Sequence, residues 1–93
     1  MTLRFFAYYR DPEYAGCKEM NWSGAADLRD LGEQLCRTLG RPFADEFFNA
    51  DKTAIGNKII IMINGRRVEF LQGLDTPLRE EDLVQIFPIV AGG

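Results

Sequence analysis

The stretch KIIIMINGRRVEFL, residues 58–71, decides the fold. Two β-rich runs flank Asn64-Gly65, the pair preferred in a type I′ hairpin turn. Both central residues of that turn need positive φ, which asparagine tolerates and glycine adopts without a steric cost. The segment therefore predicts an antiparallel hairpin. Its apolar run, Ile59 to Ile63, is far shorter than the ~20 residues of a membrane helix.

Working outward, QGLDTPLREEDLVQIFP (72–88) has a turn at Gly73 and ends in a strand over 83–88. Thr76 before Pro77 reads as the cap and first-turn proline of one helical turn through LREE. Toward the N-terminus, TLRFFAYY (2–9) alternates, with Leu3, Phe5, Ala7 and Tyr9 on one face and Arg4, Phe6 and Tyr8 on the other, as a strand would place them. DPEYAG supplies a turn, and CKEMNW (17–22) reads as a second strand, antiparallel to the first.

Between these strand pairs lies SGAADLRDLGEQLCRTLG (23–40). Leu28, Leu31, Leu35 and Leu39 recur at helical spacing, with Cys36 beside them and charged residues around the rest of the circumference. Ser23 reads as the N-cap, and Gly40 followed by Pro42 as the stop. Gly32 in the helix interior costs about 1 kcal/mol against alanine, which close packing on a neighbour would compensate. Residues 41–57 read as a covering loop with a little helix. The order predicts an α+β fold of β-grasp type, a mixed sheet of about five strands packed on one main helix, with residues 1–93 as a single domain.

Composition narrows the function. With 46% hydrophobic and 27% charged residues, the chain is an ordinary globular sequence. The net charge is −3 and basic residues do not cluster, so neither nucleic acid nor an anionic membrane is an expected partner. No histidine is present, which removes the commonest general base and metal ligand. Cys17 and Cys36, without a CxxC, fit neither zinc nor thioredoxin chemistry, so no metal site is expected. The N-terminus lacks a leader pattern, and the expected location is the cytoplasm.

Several pieces together resemble the MoaD/ThiS family of ubiquitin-like sulfur carriers: RFFA (4–7), YAG (14–16), INGR (63–66), GLDTPLREEDLVQIFP (73–88) and the closing VAGG (90–93). The resemblance is strongest to the branch of the molybdopterin synthase small subunit. Glu81 stands where many relatives have a turn glycine, and residues 41–57 match no family pattern. The resemblance implies that a ubiquitin-activating-type adenylyltransferase uses ATP to convert the Gly93 carboxylate to an acyl-adenylate, and that a sulfur donor then makes the thiocarboxylate. Its sulfur would go to a pterin precursor bound by the molybdopterin synthase large subunit. On this reading the chain is not catalytic alone and binds no cofactor. Sulfur transfer for thiamin, cysteine or tRNA, and protein modification through Gly93, are the alternatives.

The residues themselves fit such a task. Gly92 and Gly93 lack Cβ atoms and can thread a channel closed to side chains. Residues 90–93 are expected to form a flexible tail spanning at most about 13 Å when extended, enough to enter a partner's active site. If the helix covers one sheet face, Phe6, Tyr8 and Phe87 have the parity to occupy the other beside the tail. There they would be either a docking patch for partners or extra core beneath the middle loop with Phe43, Phe47 and Phe48. Val90 and Ala91 would be spacer residues in contact with the partner, and Arg66, after the hairpin turn, a polar rim.

Overall fold

The structure, a computed structural model, describes residues 1–90. Five strands and two helices form an α+β fold: β1 (Thr2–Phe5), β2 (Glu19–Asn21), α1 (Leu28–Leu39), α2 (Arg41–Phe47), β3 (Ile59–Ile63), β4 (Arg66–Arg67) and β5 (Leu83–Pro88). The sheet order is β2-β1-β5-β3-β4. β1 runs parallel to β5, whereas the other neighbours pair antiparallel. This is the β-grasp arrangement, with the last strand in the centre of the sheet.

The core follows from strand parity. Leu3 and Phe5, Ile59, Ile61 and Ile63, and Val84 and Ile86 are buried against Leu28, Leu31 and Leu35 of α1. Fully burying one such side chain stabilises by about 1.5–3 kcal/mol. α2 adds Phe43 and Phe47 to the same core, where Phe43 meets the edges of Phe5 and Tyr9 at ring-centroid distances of 6.2 and 5.5 Å. Residues 41–47 are thus a second helix in a segment expected to be mainly loop, and its phenylalanines enter the core rather than covering Phe6 and Phe87.

The hairpin has the expected turn, with φ of 52° at Asn64 and 83° at Gly65. The turn is tied to β5: Asn64 Nδ2 donates to Asp82 Oδ1 and Leu83 N to Asn64 Oδ1, each at 2.9 Å. The second strand is only two residues long, however. Val68 is fully buried and starts a 3-10 turn, Val68–Phe70, that takes the chain off the sheet.

Three expectations were overridden by contacts between distant segments. The strand expected over 2–9 stops at Phe5, because Ala7 takes a left-handed conformation (φ 52°) and opens a 3-10 turn, Ala7–Arg10. α1 starts at Leu28 with Asp27 as its N-cap, accepting a 2.8 Å bond from Asp30 N, so Ser23 caps nothing. The reason is that residues 26–28 pair across the fold with 76–78: Leu28 N donates to Thr76 O and Leu78 N to Ala26 O. The same pairing holds Pro77 extended opposite Asp27, and no helix forms after it. Thr76 Oγ1 instead turns back to donate to Gly73 O.

The interior glycine of α1 marks a close approach. A Cβ on Gly32 would lie 2.2 Å from Phe47 Cε1 and 2.8 Å from Phe48 Cζ. Gly40 (φ 91°) ends α1, and Pro42 sits in the first turn of α2. No helix among the described residues is long and apolar enough to cross a membrane.

Candidate functional site

The sheet face turned away from the helices carries the alternate residues of the strands. On β5 these are Gln85 and Phe87, and on β3 Ile60 and Met62, all half-buried. Ile60 stands opposite Phe87 and Met62 opposite Gln85. Arg4 of β1 lies beside Gln85 and is bonded to Glu19 at 2.9 Å. The face is therefore apolar toward the C-terminal end of β5 and charged toward the β2 edge.

At that C-terminal end two aromatic rings stack, with a guanidinium over one of them. Phe6, held to β5 by its N–H on Ile86 O, places its ring 4.2 Å from that of Phe87 at an interplanar angle of 13°. The Arg10 guanidinium lies 5.4 Å from the centre of the Phe6 ring, while its Nε donates to Phe5 O at 2.8 Å. An aromatic pair is worth about 0.5–1.5 kcal/mol beyond area burial, and a partly exposed cation over a ring about 0.5–1 kcal/mol. Ile89 and Val90, 48% and 56% exposed, extend this apolar surface past β5. Ile89 N is anchored to Lys58 O at 2.7 Å.

Of the residues singled out in the sequence, the fold brings together Phe6 and Phe87, with Val90 three residues further along. Ala91, Gly92 and Gly93 lie outside the described residues. Tyr8 does not join this face, because the left-handed turn at Ala7 swings its hydroxyl to Glu46. Arg66 is exposed beside the hairpin turn, paired with Ile63, which faces Val84. Its register with these two core residues gives its side chain their parity, on the sheet face opposite Phe87. Arg67 is engaged with Glu69 at 2.9 Å.

Two features of the site were not recognised in the sequence. Arg10 is one; its only signal was its position just after an aromatic run. The other is a cluster beneath the turn, where all three tyrosines of the chain converge on one carboxylate. Tyr8 and Tyr9 donate to Glu46 Oε1 at 2.7 and 2.9 Å, and Tyr14 donates to Oε2 at 3.1 Å. Burial, followed by hydrogen bonding to the carboxylate, pushes the Tyr8 hydroxyl up to about 12 and holds Tyr9 and Tyr14 above the usual range as well. Nothing local links Glu46 to tyrosines more than thirty positions away.

Cys17 and Cys36 are both free and half-buried, and burial raises the Cys36 thiol above its ordinary range, which disfavours its thiolate. Among the described residues no group of three or more potential ligands is placed to hold a metal ion.

Known proteins are similar to this chain in sequence and in fold. The chain is 33% identical to small archaeal modifier protein 3 of Haloferax volcanii, over 100% of this chain and 98% of that protein. The structure of small archaeal modifier protein 1 from Methanosarcina acetivorans superposes with a TM-score of 0.78 at 28% identity, covering 99% of this chain and 94% of that one. A Pyrococcus furiosus structure assigned to molybdopterin converting factor, subunit 1, superposes with a TM-score of 0.66 at 27% identity, covering 96% and 95%. The model of the ThiS family matches residues 3–93, through the final glycine. The chain belongs to the ThiS family of ubiquitin-like sulfur carriers and modifiers.

Proposed function

We propose that the chain is a sulfur carrier acting as the small subunit of molybdopterin synthase, with Gly93 as its reactive terminus. The observation that carries this reading is the placement of the Arg10–Phe6–Phe87 stack at the end of β5, the strand whose next residues lead to the diglycine. A partner seated on the stack would meet the tail at its root. The likeness to the Pyrococcus furiosus protein supports the molybdopterin branch.

In this mechanism an adenylyltransferase joins the Gly93 carboxylate to the α-phosphate of ATP and releases pyrophosphate. A hydrosulfide-level donor then attacks the acyl carbon, expelling AMP and leaving a thiocarboxylate. In the large subunit that sulfur would form a bond to a carbon of the pterin precursor as an oxygen substituent leaves that carbon, and water would then cleave the acyl–sulfur bond, leaving the sulfur on the pterin and restoring the Gly93 carboxylate. The carrier binds no cofactor and supplies no acid or base. Its own contributions are docking and delivery.

The likeness to small archaeal modifier protein 3 favours a second reading, in which an amine takes the place of sulfur and Gly93 becomes isopeptide-linked. The test is to incubate the protein with an activating enzyme that charges a control carrier, ATP and a sulfide donor, and to read intact mass. An oxygen-for-sulfur increment on the C-terminal peptide, lost when Gly93 is deleted, is the expected result. An uncharged chain beside a charged control overturns the proposal, and attachment to substrate lysines in its place selects the second reading.

A further inference from the structure

From the tyrosine cluster we infer that Glu46 is a positioning residue for the docking stack, an inference that rests on the reading of that face proposed above. The turn that carries Phe6, Tyr8 and Arg10 is a single 3-10 turn, joined to the sheet by the bond from Phe6 N to Ile86 O. It contains a left-handed alanine, a conformation that costs a non-glycine residue about 1–2 kcal/mol, so contacts elsewhere must hold it. One brace is Arg10 Nε on Phe5 O, within the turn itself. The other comes from α2, where Glu46 takes the hydroxyls of Tyr8 and Tyr9 on one oxygen and that of Tyr14 on the other.

The geometry makes this brace directional. Tyr8 is two residues from Phe6 and from Arg10, the two members of the stack that come from the turn. Tyr9 is fully buried, with its ring 5.5 Å from Phe43 of α2, so the turn cannot slide without disturbing the core. Tyr14, 5.1 Å from Tyr8, ties in the far side of the same loop. With Glu46 removed, three hydroxyls lose a charged acceptor, the turn keeps the Tyr9–Phe43 ring contact but loses its hydrogen bonds to α2, and Phe6 loses one of the restraints that keep its ring parallel to Phe87. Glutamine retains a neutral acceptor oxygen for Tyr8 and Tyr9, and its Nε2 would donate to the Tyr14 hydroxyl instead of accepting from it.

The test compares wild type, Glu46→Ala, Glu46→Gln and Phe87→Ala, all at a temperature where each is folded by circular dichroism. Ring-current-shifted NMR resonances of Phe6 and Phe87 report the stack in the free protein, and titration calorimetry against purified molybdopterin synthase large subunit reports docking. We expect Glu46→Ala to move the Phe6 and Phe87 resonances and weaken docking roughly fivefold to tenfold, a coupling of ordinary size. Glu46→Gln should restore most of both. Unchanged resonances in folded Glu46→Ala overturn the inference whatever the binding result. Weakening by Phe87→Ala with none by Glu46→Ala also overturns it while leaving the docking face intact. If Phe87→Ala too binds like wild type, the docking face itself is wrong, and Glu46 has no docking to position.

Discussion

Replacing Gly32 by alanine sets two effects of known sign against each other. Helix propensity favours alanine in a helix interior by about 1 kcal/mol. Packing opposes it: the new Cβ would sit 2.2 Å from Phe47 Cε1 and 2.8 Å from Phe48 Cζ, whereas carbon atoms prefer about 3.5–4.0 Å. The rings have little room to yield. Phe47 is fully buried, with Phe43 5.8 Å away on one side and Phe48 4.8 Å away on the other. Overpacking usually costs about 1–3 kcal/mol, and contact with two rings puts this case near the upper end. The net expectation is destabilisation by about 2 kcal/mol, or a fall in Tm of roughly 8–16 °C for a chain of this size. Trp22, the single tryptophan, donates to Gln34 on α1 at 2.7 Å, so its fluorescence in urea follows the helix directly. The midpoint should fall with the slope unchanged. A Gly32→Ala protein as stable as wild type, or more so, would refute the claim that the glycine is there for close approach.

Two further outcomes follow from the site. Phe87→Ala should weaken partner binding by about tenfold or more, as loss of an aromatic anchor does, while costing less than that in stability because the ring is only half-buried; equal losses in calorimetry and urea unfolding would return Phe87 to a core role. The tyrosines should ionise above the usual phenol range in the native protein, because the folded state raises all three. Since the protonated form is the one the fold favours, their stabilising contribution is complete below about pH 10. It is lost as pH rises through about 12 for Tyr8, by linkage. Tyrosinate absorbance should therefore appear together with alkaline unfolding, and ionisation near pH 10 with native near-ultraviolet dichroism intact would contradict the cluster.

The sequence by itself determined those features whose cause is local. Asn64-Gly65 can satisfy a turn that needs two positive φ values, the leucine stripe of α1 can be buried along one side only, and the alternation over 83–88 has one buried face. With the family motifs, these were enough to specify the β-grasp and point to the diglycine and Phe87. Tertiary structure decided the rest wherever a distant segment competed for the same backbone or space. Pairing of 26–28 with 76–78 moved the start of α1 and prevented a helix after Pro77. Burial of Val68 cut β4 to two residues, and the left-handed Ala7 ended β1 early. That last change divided the aromatic run: Phe6 stayed on the sheet to stack on Phe87, while Tyr8 and Tyr9 turned to Glu46. No local periodicity encodes the division, because the carboxylate that receives the tyrosines lies on another helix and reaches them only once the core has closed.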